Sequence, residues 1–293
     1  MENGVTSTTH RRAPVEVGEA VVGGHLGYEA PTDVASVMRH YAQMDILQEI
    51  KTRLGGNHEL LTKVSQSLET INKALDQYQA EGVALSFNGG KDCTVLLHLL
   101  LYTLAKRTPA TKSEQPRLRA IYFLQRDTFA EVSQFVQSCV EWYNLDMITS
   151  DKGFKEGLES ILKENSNIRA IFMGTRRTDP NAGSLTPFAE TDKGWPCFIR
   201  VNPILDWDYS DVWTFLLSFG IPYCSLYDQG YTSIGDTTNT VPNPALSMLE
   251  NNSNNSNKTN EAEHEGEEKK VMSYAPAHCL TDGNREREGR LSK

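Results

Sequence analysis

Apolar residues recur at intervals of three and four over residues 34–54 and again over 58–79. In the second stretch Leu60, Leu61, Val64, Leu68, Ile71 and Leu75 make one stripe. This spacing predicts two amphipathic helices, separated by the Gly55-Gly56 break. The pattern then changes. Short apolar runs at 83–87, 119–124, 145–149 and 168–173 read as strands. They alternate with helical stretches at 93–106, 129–143 and 154–164. A last helix is expected over 209–219, after Asp208, a suitable N-cap. Alternation of this kind predicts βαβ units. The expected fold is α/β: a Rossmann-like, parallel twisted sheet with flanking helices, plus N-terminal helices at 34–80 and a C-terminal tail. In such sheets ligands bind beyond the carboxyl ends of the strands. Chemistry is therefore sought in the loops after Phe87, Leu124 and Met173.

Two stretches fall outside this pattern. Residues 1–33 show no sustained period and read as a mobile tail. Residues 250–271 read as a low-complexity linker: six of the ten residues 251–260 are Asn, and 250–270 holds six acids against three bases. No core can be built from such a composition. This leaves 81–249 as the expected catalytic domain. Apolar residues return at Met272, Tyr274 and Leu280, so the segment 272–293 is expected to dock on that domain.

Composition narrows the function classes. The chain has 293 residues, 39% apolar and 23% charged, with a net charge of −9. An acidic balance argues against a broad nucleic-acid surface. A small anionic substrate remains compatible, because a few local arginines can hold phosphates. Five cysteines without a CxxC pair argue against a disulfide scaffold or a zinc ribbon. The seven histidines show no metal-ligand spacing. The longest apolar stretch, 95–105, is too short to span a bilayer. The N-terminus lacks the apolar core of a secretory signal. A cytoplasmic monomer that acts on small molecules is expected.

Three motifs carry candidate chemistry. The first is Ser86-Phe87-Asn88-Gly89-Gly90-Lys91-Asp92, between a strand and a helix. Its glycines let the backbone turn tightly, and the helix N-terminus favours an anion. Ser86 adds a hydroxyl and Lys91 a point charge. An ordinary glycine turn is the plain alternative. The second is Gly174-Thr175-Arg176-Arg177-Thr178-Asp179 at a strand end, where two guanidinium forks could hold a phosphate. The plain alternative there is a charged surface loop with an Asp-Pro turn. In the third, Trp195, Arg200 and Trp207 could wall a flat ring. Trp207 could equally be a core residue, and Trp213 reads as core. Cys93 and His98 read as packing residues.

The first motif resembles the PP-loop of the ATP pyrophosphatases, which break ATP between its α and β phosphates. Cys93 stands where Ser is usual. Taken with MGTRRTDP, GWPCFIRVNPILDWDYSDVW, IPYCSLYDQGYTSIG and NTVPNPAL, the chain resembles the eukaryotic FAD synthases. These are FMN adenylyltransferases related to the phosphoadenylylsulfate reductases. The likeness covers about residues 80–249 and resumes near Tyr274 to Arg290. Over Asp282 to Arg290 it resembles the family's C-terminal arginine motif.

The resemblance implies transfer of AMP from ATP to FMN, giving FAD and pyrophosphate. ATP would be held by Ser86, Phe87, Asn88, Gly89, Gly90, Lys91 and Asp92 with Arg287 and Arg290. FMN would be held by Gly174, Arg176, Arg177, Thr178, Asp179, Trp195, Arg200 and Trp207. The catalytic set is Asn88, Lys91, Asp92, Asp179, Arg287 and Arg290, and Lys91 is expected to face a cleft. Mg²⁺ is implied, held mainly by the phosphates, with no protein ligand assigned. The FMN phosphate has a second pKa of about 6, so it needs no general base as nucleophile. A reductase-like enzyme, which would need a redox cysteine in its tail, and an FAD-binding module with little turnover remain open alternatives. A tRNA-thiolating enzyme would need a basic surface and paired cysteines, which this chain lacks.

Overall fold

The computed structural model describes residues 33–108, 117–248 and 273–291, and the backbone of 22–23. The linker assigned to 250–271 lies outside them, as does residue 272. So does most of 1–33: only β1 (Val22–Gly23) and Asp33 are described.

Three helices come first: α1 (Val34–Gln43), α2 (Ile46–Arg53) and α3 (His58–Tyr78). The single helix expected over 34–54 is therefore two. The Asp45 side chain accepts from the amides of Leu47 and Gln48 and starts a new helix there, which outweighs the continuing apolar period. The βα units follow: β2 (Val83–Ser86), α4 (Lys91–Arg107), β3 (Arg119–Phe123), α5 (Ala130–Trp142), β4 (Asp146–Ser150), α6 (Phe154–Glu164) and β5 (Ala170–Phe172). Next come β6 (Phe188–Glu190), β7 (Ile199–Val201), α7 (Tyr209–Ser218) and β8 (Tyr223–Cys224), which pairs with β1. The antiparallel pair β9 (Ser247–Met248) and β10 (Ser273–Tyr274) brackets the linker.

The main sheet has the order β4-β3-β2-β5-β7-β6, parallel except for β6. This is the expected α/β fold, widened by β6 and β7. Those two strands have three residues each and lie in a stretch broken by Gly and Pro, too short to show a period. One face of the sheet carries the larger core, with Leu85, Leu96, Phe135, Val212 and Phe215. On the other, Leu158 and Ile161 of α6 pack on Ala84, Ile121 and Ile171. The strand order moves outward from β2 in opposite directions through β3 and β5. The loops after β2 and β5 thus open side by side at one end of the sheet, a switch point where α/β folds bind ligands.

Candidate active site

The loop after β2 is built for close approach. Gly89 has φ +74°, and a Cβ there would lie 2.9 Å from Val136 Cγ2. Asn88 Oδ1 accepts from Gly90 N at 3.0 Å and braces the turn. α4 starts at Lys91 with no side-chain cap, so the positive end of its dipole is not screened by an N-cap. Asn88, Gly89 and Gly90 line a cleft of about 300 Å³. Tyr122, Gln125, Thr128, Gly235, Asp236 and Arg290 line it too. Phe87, by contrast, is 1% exposed and packs in the core, so its side chain does not reach the cleft. Ser86 is half-buried beneath the loop. Cys93 Sγ sits 2.9 Å from Asn88 Oδ1, and burial pushes its thiol up to about 12. It stays protonated and packs.

Lys91 departs from the expectation that it faces a cleft. It is 2% exposed. Its Nζ bridges Asp92 Oδ2, at 3.0 Å, and Glu286 Oε1, and lies 5.3 Å from the centre of the Tyr209 ring. Arg176 mirrors it from the loop after β5. Its Nε is 2.8 Å from Asp92 Oδ1 and its Nη2 donates to Glu286 Oε2 at 2.6 Å. Two cations and two carboxylates thus form a closed, buried, neutral ring. Burial alone would raise the Asp92 pKa, but Lys91 and Arg176 outweigh it and hold Asp92 below the usual carboxylate range. Burial would likewise lower the Arg176 pKa, and Asp92 and Glu286 reverse the sign.

Other predicted residues are placed as follows. Gly174 abuts the α4 N-terminus. Asp179 Oδ2 accepts from Arg176 N at 2.8 Å and shapes the loop. Arg177 turns away: it contacts Asp206 at 2.7 Å and donates to the carbonyls of Gly183 and Leu185 at 3.1 Å each. Its fork is occupied by protein, contrary to its assignment to a phosphate. Thr178 is exposed. Arg200 donates to Glu190 O at 2.7 Å and braces β6 against β7. Trp207 is 2% exposed, and its Nε1 donates to Ser67 Oγ at 3.0 Å. It is a core residue with one edge on a separate cleft beside α3, which none of the loop glycines lines. Trp195 is exposed and packs edge-on to Phe154, at 5.9 Å between centroids.

The tail is tied down through its backbone. Tyr209 Oη donates to Ala277 O, Thr232 Oγ1 to Glu286 O and Asn243 Nδ2 to Arg285 O, at 2.8, 2.6 and 2.9 Å. Val241 N donates to Gly289 O, and Leu291 N to Asn239 O, both at 2.9 Å. Its two glutamates are both engaged, Glu286 in the ring and Glu288 in a bidentate pair with Arg285 at 2.7 and 2.8 Å. Arg287 and Arg290 form no salt bridge among the described residues. Desolvation, and then the like charge of Arg287, lower the proton affinity of Arg290. The Asp236 carboxylate, which lines the same cleft, acts against that lowering, and Arg290 shares the cleft with the glycine loop. The sequence singles out neither Tyr227 nor Thr232, and among the acids beside the arginines it does not show that Glu286 turns inward. Tyr227 Oη accepts from Lys91 N at 2.9 Å.

A glycine loop between a parallel strand and a helix, sharing a cleft with Arg290, defines a nucleotide-binding α/β protein of the PP-loop class. A phosphoadenosine phosphosulfate reductase domain matches residues 82–242. A probable FAD synthase of Schizosaccharomyces pombe is 40% identical over 232 residues, spanning 79% of this chain and 80% of that one. A probable FAD synthase of Caenorhabditis briggsae is 36% identical over 230 residues, 77% of this chain and 42% of that longer protein. The Candida glabrata FMN adenylyltransferase, solved with FAD and inorganic pyrophosphate, superposes with a TM-score of 0.71 at 28% identity. That match covers 88% of this chain and 95% of the Candida chain. The chain belongs to the FAD synthase family.

Proposed function

We propose that the protein transfers AMP from ATP to FMN, giving FAD and pyrophosphate. The observation that carries this reading is Arg290, which forms no salt bridge among the described residues and lines one cleft with the glycine loop at the start of α4, with Arg287 three residues before it. Such a cleft suits the β and γ phosphates of ATP, which leave together. Asn88, Gly89 and Gly90 face these phosphates, and the two arginines stabilise the charge that grows on them. The side of the cleft lined by Tyr122, Gln125 and Thr128 is left for the adenosine. The loop carrying Asp179, with the exposed Trp195 beyond it, takes FMN. Asp179 Oδ1, which makes no hydrogen bond among the described residues, is available to a ring N–H.

The FMN phosphate is largely dianionic at neutral pH and attacks the α phosphorus directly. The phosphorus–oxygen bond to the β phosphate breaks as the new one forms. The protein's contribution is alignment and charge stabilisation. Mg²⁺ enters as part of the MgATP substrate. No group of three or more His, Cys, Asp or Glu side chains able to hold an ion occurs among the described residues, and Asp92 is already bound by Lys91 and Arg176. The net charge of −9 supports small molecules over nucleic acid as partners. Among the described residues no helix is long and apolar enough to cross a membrane. A monomer in the cytoplasm completes this reading.

Incubation with ATP, Mg²⁺ and FMN, followed by chromatography, should yield FAD, and riboflavin in place of FMN should yield none. Absence of FAD from the FMN reaction would refute the assignment.

A further inference from the structure

The charge ring joins three parts of the chain far apart in sequence. Lys91 and Asp92 begin α4, Arg176 lies in the loop after β5, and Glu286 lies in the tail. Glu286 gives one oxygen to each cation, so its carboxylate is the bridge between them. Its backbone is fixed as well: its carbonyl accepts from Thr232 Oγ1, which in turn accepts from Asn243 Nδ2 at 2.8 Å. Arg287 is the next residue along, and the backbone pairing of Gly289 with Val241 follows before Arg290. Glu286 is therefore a side-chain anchor that directly precedes Arg287 and lies one short stretch before Arg290, which lines the cleft.

We propose that Glu286 is a positioning residue for adenylyl transfer: its carboxylate, held between Lys91 and Arg176, sets the tail so that Arg287 and Arg290 stand over the phosphates. This rests on the function proposed above. It also reassigns Lys91. With its ammonium buried between two carboxylates, Lys91 acts on the phosphates through Glu286 and the tail, not by touching them. Loss of the Glu286 charge leaves Lys91 and Arg176 sharing Asp92 alone, a buried net positive charge that favours release of the tail.

The test combines kinetics with hydrogen exchange. Glu286→Gln keeps the shape and removes the charge. It should lower kcat/KM for FAD formation by about 100-fold, with a raised KM for ATP as well as a lower kcat. Glu286→Asp should recover part of the loss. In the Gln variant the peptides containing Val241 and Leu291 should lose amide protection, while α4 keeps its own. Adding Lys91→Met to Glu286→Gln should cost little more than the single change, because both remove one linkage.

Wild-type kinetics for Glu286→Gln would overturn the proposal. So would multiplicative losses in the double variant together with a protected tail. If Glu286→Gln does not fold, Glu286→Asp carries the test, because it keeps the charge but shortens its reach to Lys91 and Arg176. It should still lower kcat/KM and amide protection in the tail, and wild-type values for both would overturn the proposal. Should the wild-type protein make no FAD, the functional reading fails by itself. The exchange experiment then decides whether Glu286 fixes the tail: protection lost in the variant upholds that, protection retained refutes it.

Discussion

Gly174 packs directly on the backbone of Cys93: a Cβ at position 174 would lie 2.9 Å from Cys93 N and 3.1 Å from the Asp92 carbonyl carbon. The loop after β5 can touch the start of α4 because this residue has no side chain. This contact brings Arg176 within reach of Asp92.

Gly174→Ala should therefore act on both stability and rate. The neighbours are backbone atoms at a helix start and cannot swing aside. Overpacking of this kind costs roughly 1–3 kcal/mol. Thermal melts should show the loss, and kcat for FAD formation should fall as the two loops separate. A variant with unchanged melt and rate would mean that the loops tolerate separation.

Lys91→Met should destabilise the fold as well as slow the reaction. Breaking a buried pair by removing one partner costs about 3–5 kcal/mol, because the remaining charges are left unmatched. Urea unfolding gives the number. A lysine free to face phosphate would instead leave stability unchanged.

The double change Arg287→Ala and Arg290→Ala should do the opposite. These side chains form no salt bridge among the described residues, so the melt should stay near that of the wild type. FAD formation should drop by about 100-fold or more, as expected when charge stabilisation at the leaving group is removed. Steady-state kinetics with wild-type values would return the tail to a purely structural role.

His98 makes stability depend on pH far from the cleft. Its Nδ1 faces Tyr41 Oη, it stacks edge-on to Tyr143, and burial lowers its pKa from 6.5 to about 3. The unfolded chain binds the extra proton between these values, so stability falls as pH drops from 6.5 toward 3. Between pH 7 and pH 5 the loss is about 2 kcal/mol. In His98→Phe the melting temperature should lose that part of its pH slope. An unaltered slope would assign it to other groups.

Much of the fold is legible in the sequence because the strands are apolar runs set between stretches of helical period. The glycine loop is equally plain, since Ser86 to Asp92 sits at the one change from strand to helix where two glycines meet a charge. The N-terminal break is not, because Asp45 acts by capping and leaves the apolar period intact. The ring is not legible either. Lys91 and Glu286 are 195 residues apart, and no local pattern tells an acid that cancels the neighbouring arginines from one that turns inward to anchor them. Arg177 misleads for the same reason: its partner Asp206 belongs to a different loop.

The most direct test of adenylyl transfer is to measure pyrophosphate release from MgATP with and without FMN, alongside FAD. Direct attack by the FMN phosphate predicts that pyrophosphate appears only when FMN is present, mole for mole with FAD. Pyrophosphate released without FMN, or in excess over FAD, would contradict it.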